Sequence, residues 1–181
     1  MISSIHRMSA RLLAARDFRN ALGRFATGVV VVSARSGGAC HAMTANAFMS
    51  GSLEPPLVVV SVARRARMHG LLDAGEAFGV TVLTQAQETH SRYFAGQRGD
   101  MHEVRFAELS GVPVLEEGCA RLAARVSRRY ECGDHTLFVG EVQALDTAAE
   151  PEPLLFFAGR YAKLEAAGQG TLQAPPLPFV Y

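Results

Sequence analysis

Short runs of β-branched residues, cut by turn formers, leave this chain little room for long helices. Val29-Val30-Val31-Val32-Ser33 is the clearest of them. Branching at Cβ stiffens χ1 and suits a pleated, buried surface, so this run predicts a strand. Ser36-Gly37-Gly38 supplies a turn, and Ala39 to Phe48 a second extended segment, so the first two strands form a hairpin. Leu57–Val62 behind Pro55-Pro56, Phe78–Leu83 and Leu154–Phe157 are three more buried strands. From Ala120 to Val126 the pattern changes. Ala120, Leu122, Ala124 and Val126 are apolar, while Arg121, Arg125 and Ser127 hold odd positions, the period of two of a half-exposed strand. Cys132-Gly133-Asp134 turns the chain, and Thr136–Ala144 returns as its partner.

Helices are few and short. Asp17 is placed to cap one in which Phe18, Leu22 and Phe25 recur at i, i+4 and i+7, with Gly28 as its end. Met68–Asp73 and Gln85–Phe94 are the others. Gly96 to Gly118 is predicted to be mostly loop, and Gly168 to Tyr181, with three prolines, an irregular tail. Six to seven strands joined by short connections favour a mainly β fold, an antiparallel barrel rather than a doubly wound parallel sheet.

The 181 residues suit one domain over residues 17–165, with a leader over 1–16 and a tail over 166–181. A net charge of +1, with no long run of one sign, argues against nucleic acid or an anionic membrane as the main partner. Cys40, Cys119 and Cys132 are odd in number and form no CxxC, which suggests a reduced compartment. The first residues mix arginines with short apolar stretches and lack a secretory h-region, and no stretch approaches the roughly 18 apolar residues of a membrane span. A soluble, cytoplasmic protein is expected. GxGxxG, GxxxxGK[ST], HExxH and GxSxG are all absent, and the six histidines show no metal-ligand spacing, so no metal site is expected.

Four segments carry candidate chemistry. Thr44-Ala45-Asn46-Ala47-Phe48 ends a predicted strand with small and hydrogen-bonding residues that let a planar ligand approach the backbone; a polar strand end before a turn is the plainer reading. Ser61-Val62-Ala63-Arg64-Arg65-Ala66-Arg67 sets three arginines before a short helix, a pattern for a phosphate or simply a solvated basic loop. Gly133-Asp134-His135 is a turn with an acid beside a histidine, hence a candidate proton carrier or an ordinary turn. Gly159-Arg160-Tyr161 offers a flat ring with a hydroxyl, or a core or rim aromatic.

The order and spacing of these segments resemble the flavin reductase family with the FMN-binding split-barrel fold, the reductase components of two-component monooxygenases. The resemblance begins at Phe18-Arg19-Asn20-Ala21-Leu22-Gly23-Arg24-Phe25-Ala26-Thr27-Gly28-Val29. It runs through Thr44–Phe48, Leu53-Glu54-Pro55-Pro56-Leu57, Phe78–Leu83, Tyr93-Phe94-Ala95-Gly96, Gly133-Asp134-His135 and Val139–Val142, and ends at Pro153–Phe157 and Gly159-Arg160-Tyr161. It covers about residues 17–164.

The resemblance implies an antiparallel, Greek-key-like split barrel and an NAD(P)H:flavin oxidoreductase. The flavin would be FMN, with FAD as the alternative, and NADH or NADPH would give the hydride. Thr44, Ala45, Asn46 and Ala47 would line the ring and ribityl chain, Ala47 standing where the family usually has serine. Ser61, Val62, Arg65 and Arg67 would form the phosphate turn. Gly79 and Thr81 would lie along the cofactor, Thr81 standing where asparagine is common. His135 would be the catalytic residue that places the nicotinamide, with Tyr161 as its neighbour. It further implies a homodimer that passes reduced flavin by diffusion to a flavin-dependent monooxygenase. The competing readings are a pyridoxamine-phosphate-oxidase-like enzyme, a non-catalytic flavin- or haem-binding split barrel, and a cofactor-free barrel.

Overall fold

The computed structural model describes residues 14–97, 104–149 and 152–164. The chain order is α1 (Ala15–Leu22), β1 (Thr27–Gly28), β2 (Val30–Ser36), β3 (Ala39–Ala45), β4 (Phe48–Ser52), β5 (Leu57–Ala63), α2 (Arg67–Ala74) and β6 (Ala77–Val82). A 3-10 turn at Gln85–Gln87 leads into α3 (Glu88–Phe94). Then come β7 (Phe106–Leu109), β8 (Val112–Leu115), β9 (Ala120–Cys132), β10 (His135–Thr147), β11 (Leu155–Phe157) and β12 (Arg160–Ala162).

Seven strands form one antiparallel sheet in the order β3-β2-β6-β9-β10-β5-β4. Its two edge strands, β3 and β4, are consecutive in the chain and joined by only Asn46 and Ala47. In a flat sheet those edges would stand about 29 Å apart. Ala45 and Phe48 can be separated by at most about 11 Å of chain. The sheet must therefore curl until its edges meet, and Asn46-Ala47 bridges the seam. This is the geometry of a split barrel.

The curl makes two cores. Inside lie Val30, Val32, Val58, Val60, Val62, Phe78, Val80 and Phe138, with Met68 and Leu72 of α2 packed among them. On the outer face Val29, Val31, Leu83, Leu115 and Leu154 form a second cluster. β2 is buried on both faces, which is why its apolar run is unbroken where a one-sided strand would alternate. Each buried valine contributes about 1.5–3 kcal/mol of burial. Gly140 on β10 is required by close approach: a Cβ there would sit 2.6 Å from Phe78 Cζ.

Several expectations need correction. α1 starts at Ala15 with Ala14, not Asp17, at its N-cap, and it stops at Gly23 rather than Gly28. Its apolar stripe is not core: Phe18, Leu22 and Phe25 are 51%, 58% and 77% exposed. The extended segment from Ala39 breaks at the seam into β3 and β4, because there the chain passes from one sheet edge to the other. The 96–118 stretch contains the hairpin β7–β8, turned at Ser110 and Gly111 with φ of 50° and 79°. Pro113 lies inside β8, where it cannot donate to a ladder. Pairing still holds, and its carbonyl accepts from buried Ser33 Oγ at 2.5 Å. β9 and β10 run to 13 residues each, past the predicted segments. β12 follows β11 where no strand was predicted. The predicted tail lies outside the described residues.

Candidate functional site

The seam is where the four segments can be compared. At its start, Thr44 Oγ1 donates to Ser91 O on α3 at 2.7 Å. Ser91 is fully buried, and its Oγ bonds Tyr161 Oη at 2.8 Å. Thr44, α3 and β12 are thus tied together. Arg92 lies 4.8 Å over the Tyr161 ring, and Phe156 meets that ring edge-on at 5.5 Å between centroids. Both nitrogens Nε and Nη2 of Arg92 donate to Glu88 Oε1, at 2.9 and 2.7 Å. These elements wall a cleft of about 540 Å³, lined by Thr44, Ala45 and Asn46 together with Ser91, Arg92, Phe156, Gly159 and Tyr161.

At the seam's other end Ser61 N donates to Ala47 O at 3.0 Å. Thr44–Ala47 therefore leads from the cleft straight to the basic segment. There β5 ends and α2 begins, with Ala66 as its N-cap and no capping side chain. Amides at an uncapped helix start point outward as donors. Arg65 and Arg67 are exposed beside it, and Arg67 Nη2 contacts His41 Nε2 at 3.0 Å. Burial of Val62 in the core leaves its backbone, paired with Thr136, as the part near this turn.

The Gly-Asp-His turn lies against the same segment. His135 pairs with Ala63 in the β5–β10 ladder, and Arg64 N donates to Asp134 O at 2.9 Å. Gly133 takes φ 61°, the left-handed value its tight turn needs. Asp134 Oδ1 holds His135 Nδ1 at 2.7 Å, leaving Nε2 as the free ring nitrogen. That hydrogen bond first, and the His135 charge with it, holds the Asp134 carboxyl below the usual carboxylate range; Arg65 adds a smaller pull.

The structure thus sets the seam, the arginine turn and the His135 turn side by side. Two expected residues fall elsewhere. Thr81 is fully buried, with its hydroxyl accepting from Leu115 N at 3.0 Å. Gly79 is buried where Pro113 O covers it, so that β8 can approach. Both belong to the β6–β8 contact. Tyr161 lines the cleft, but its hydroxyl and one ring face are already engaged within the chain. Arg92, which lines the cleft, was missed, although the i, i+4 spacing of Glu88 and Arg92 was a visible helix pair.

The three cysteines are free thiols, and burial pushes the Cys40 and Cys119 thiols up. Among the described residues no His, Cys, Asp and Glu cluster could hold a metal ion, and no helix is long and apolar enough to cross a membrane.

The flavin reductase like domain matches residues 22–165. An NADH-dependent flavin reductase of Rhodococcus is 42% identical over 83% of this chain and 87% of its own. The reductase component of Thermus thermophilus 4-hydroxyphenylacetate 3-monooxygenase is 40% identical over 81% of this chain and 95% of its own. The solved structure of the flavin reductase PheA2 superposes with a TM-score of 0.81 at 45% identity, covering 83% of this chain and 98% of that one. With the split barrel, the seam and the clamped basic turn all in place, this chain belongs to the flavin reductase family.

Proposed function

We propose that this chain oxidises NADH to reduce a free flavin, FMN or FAD, for a partner monooxygenase. One observation carries the site: the arginine turn and the His135 turn are clamped to one another at the end of the Asn46–Ala47 seam. The residues present fit a flavin. Guanidinium groups and an uncapped helix start form an anion site of the kind a phosphate ester needs. Small Ala45 and Ala47, with exposed Asn46, give a flat ring access to the backbone.

The chemistry that a bound flavin supplies is acceptance, at N5, of the hydride from the nicotinamide C4. The chain's own residues bind and orient. Arg65 and Arg67 would hold the phosphate, and Ala45 to Ala47 would flank the ring. His135, held at Nδ1 by Asp134, would offer Nε2 to the nicotinamide amide. Stacking two rings at contact distance is the whole catalytic demand, and it asks for neither a nucleophile nor a metal.

The working unit in this reading is a cytoplasmic homodimer. The exposed stripe Phe18, Leu22 and Phe25 supports an association face, with Phe157 beside it at the Gly23–Ala158 hydrogen bond. Replacing Leu22 and Phe25 by serine is expected to convert a dimer to monomer in light scattering.

The deciding assay is steady-state oxidation of NADH and NADPH with FMN and FAD in all four pairings. Flavin-dependent NADH oxidation is expected. Flavin binding without NADH or NADPH oxidation would instead favour a non-catalytic carrier.

A further inference from the structure

The two ligand-facing turns belong to different elements. Arg67 opens α2, and His135 opens β10. Backbone contacts between them end at the Arg64–Asp134 bond, before α2 begins. One side-chain bond continues the connection. His69, in the first turn of α2, places Nε2 2.8 Å from Oγ1 of Thr136, the residue after His135. Thr136 is 5% exposed, so this bond forms largely out of water. The His69 ring also meets the fully buried Phe138 ring edge-on at 5.3 Å between centroids. Its backbone N–H donates to Ala66 O, fixing the turn that carries Arg67.

We infer that His69 is a positioning residue: through Thr136 it locks the start of α2 to the start of β10, and so sets the spacing between Arg67 and His135. The inference rests on the site reading above. Hydride transfer depends on two rings held at contact distance by groups on these two elements, and a shift of about 1 Å can cost two orders of magnitude in rate. Without the His69 bond each turn keeps its own ligand contacts, but their mutual spacing relaxes. The site therefore loses turnover as well as flavin affinity. A residue that only packs the core would lower the melting temperature and spare both constants in the protein that remains folded.

The test is steady-state NADH:FMN kinetics of H69A, H69Q and T136V, alongside R67A and H135A, each with a melting curve. H69A is expected to lower kcat about tenfold and raise the FMN KM a few-fold. T136V should do the same, and H69A/T136V should be no worse than either alone, since all three break one bond. H69Q keeps an N–H near the Nε2 position and should regain most of the kcat. Wild-type kcat and KM in H69A and T136V, with or without a lower melting temperature, would overturn the inference. So would additive losses in the double variant, or an H69Q no better than H69A. If R67A and H135A also kept wild-type kinetics, the site reading itself would be wrong, whereas impaired R67A and H135A beside a normal H69A would sink the role of His69 alone.

Discussion

The two ends of the seam are built in opposite ways. On the α3 side four cleft-lining side chains are tied to one another or to Glu88: Thr44 with Ser91, Ser91 with Tyr161, Arg92 with Glu88 and the Tyr161 ring. On the α2 side the arginines stand exposed, the helix start lacks a cap, and His135 shows a free ring nitrogen. Under the proposed function, the contrast gives different work to each end. A satisfied network makes a stiff wall against which a ring can lie. An exposed, electropositive end suits the anionic ligand proposed above.

The strongest way to break this contrast is His135→Ala. It should cut kcat/KM for NADH roughly a hundredfold and leave the FMN Kd within about twofold, because orientation of the nicotinamide is lost and the flavin contacts are not. Stopped-flow reduction and fluorescence titration separate the two; equal loss in both would merge the roles. Next comes Arg67→Ala, expected to weaken FMN binding roughly tenfold through the loss of a charge-assisted hydrogen bond. Riboflavin, which has no phosphate, should bind both proteins alike, and a tenfold loss for riboflavin too would remove phosphate from the argument.

On the stiff side the expected cost falls on stability. Tyr161→Phe strands the buried Ser91 hydroxyl and should lower unfolding stability by about 1 kcal/mol in urea, with kcat within about twofold of wild type. A large loss of turnover with unchanged stability would make Tyr161 a ligand-contacting group instead. The smallest effect concerns Asp134. Its carboxyl is held low in the folded state, so the stability it adds is present above the ordinary range near pH 4 and fades as pH falls below it. The group is fully exposed, so the change is slight. Melting curves of Asp134→Asn should show a flatter acid limb, and identical limbs would mean that the pair with His135 does not persist in solution.

Much of this was legible before any coordinates. The β2–β3 hairpin followed from Val29–Ser33 and Gly37-Gly38, because strand propensity and turn chemistry are local. The β9–β10 hairpin followed for the same reason, and with it the place of His135 at the turn. β7–β8 was not legible: its strands are four residues long and one carries a proline, so its stability comes from Ser33 and Thr81 on distant strands. The fate of Thr81 was hidden likewise, since nothing in Val80-Thr81-Val82 says which long-range amide will use the hydroxyl.

By itself, then, the order of residues determined which segments are strands, where they turn and which short motifs carry charge or a histidine. Those outcomes depend on backbone sterics and on neighbours within a few positions. Tertiary structure alone decided that the sheet closes at Asn46-Ala47, that α2 sets His69 against Thr136 beside the His135 turn, and that Tyr161 is bound to Ser91 in the cleft wall. Each of these is set by the meeting of surfaces far apart in the chain, where the cost of closing long loops is repaid only by burial of the whole core.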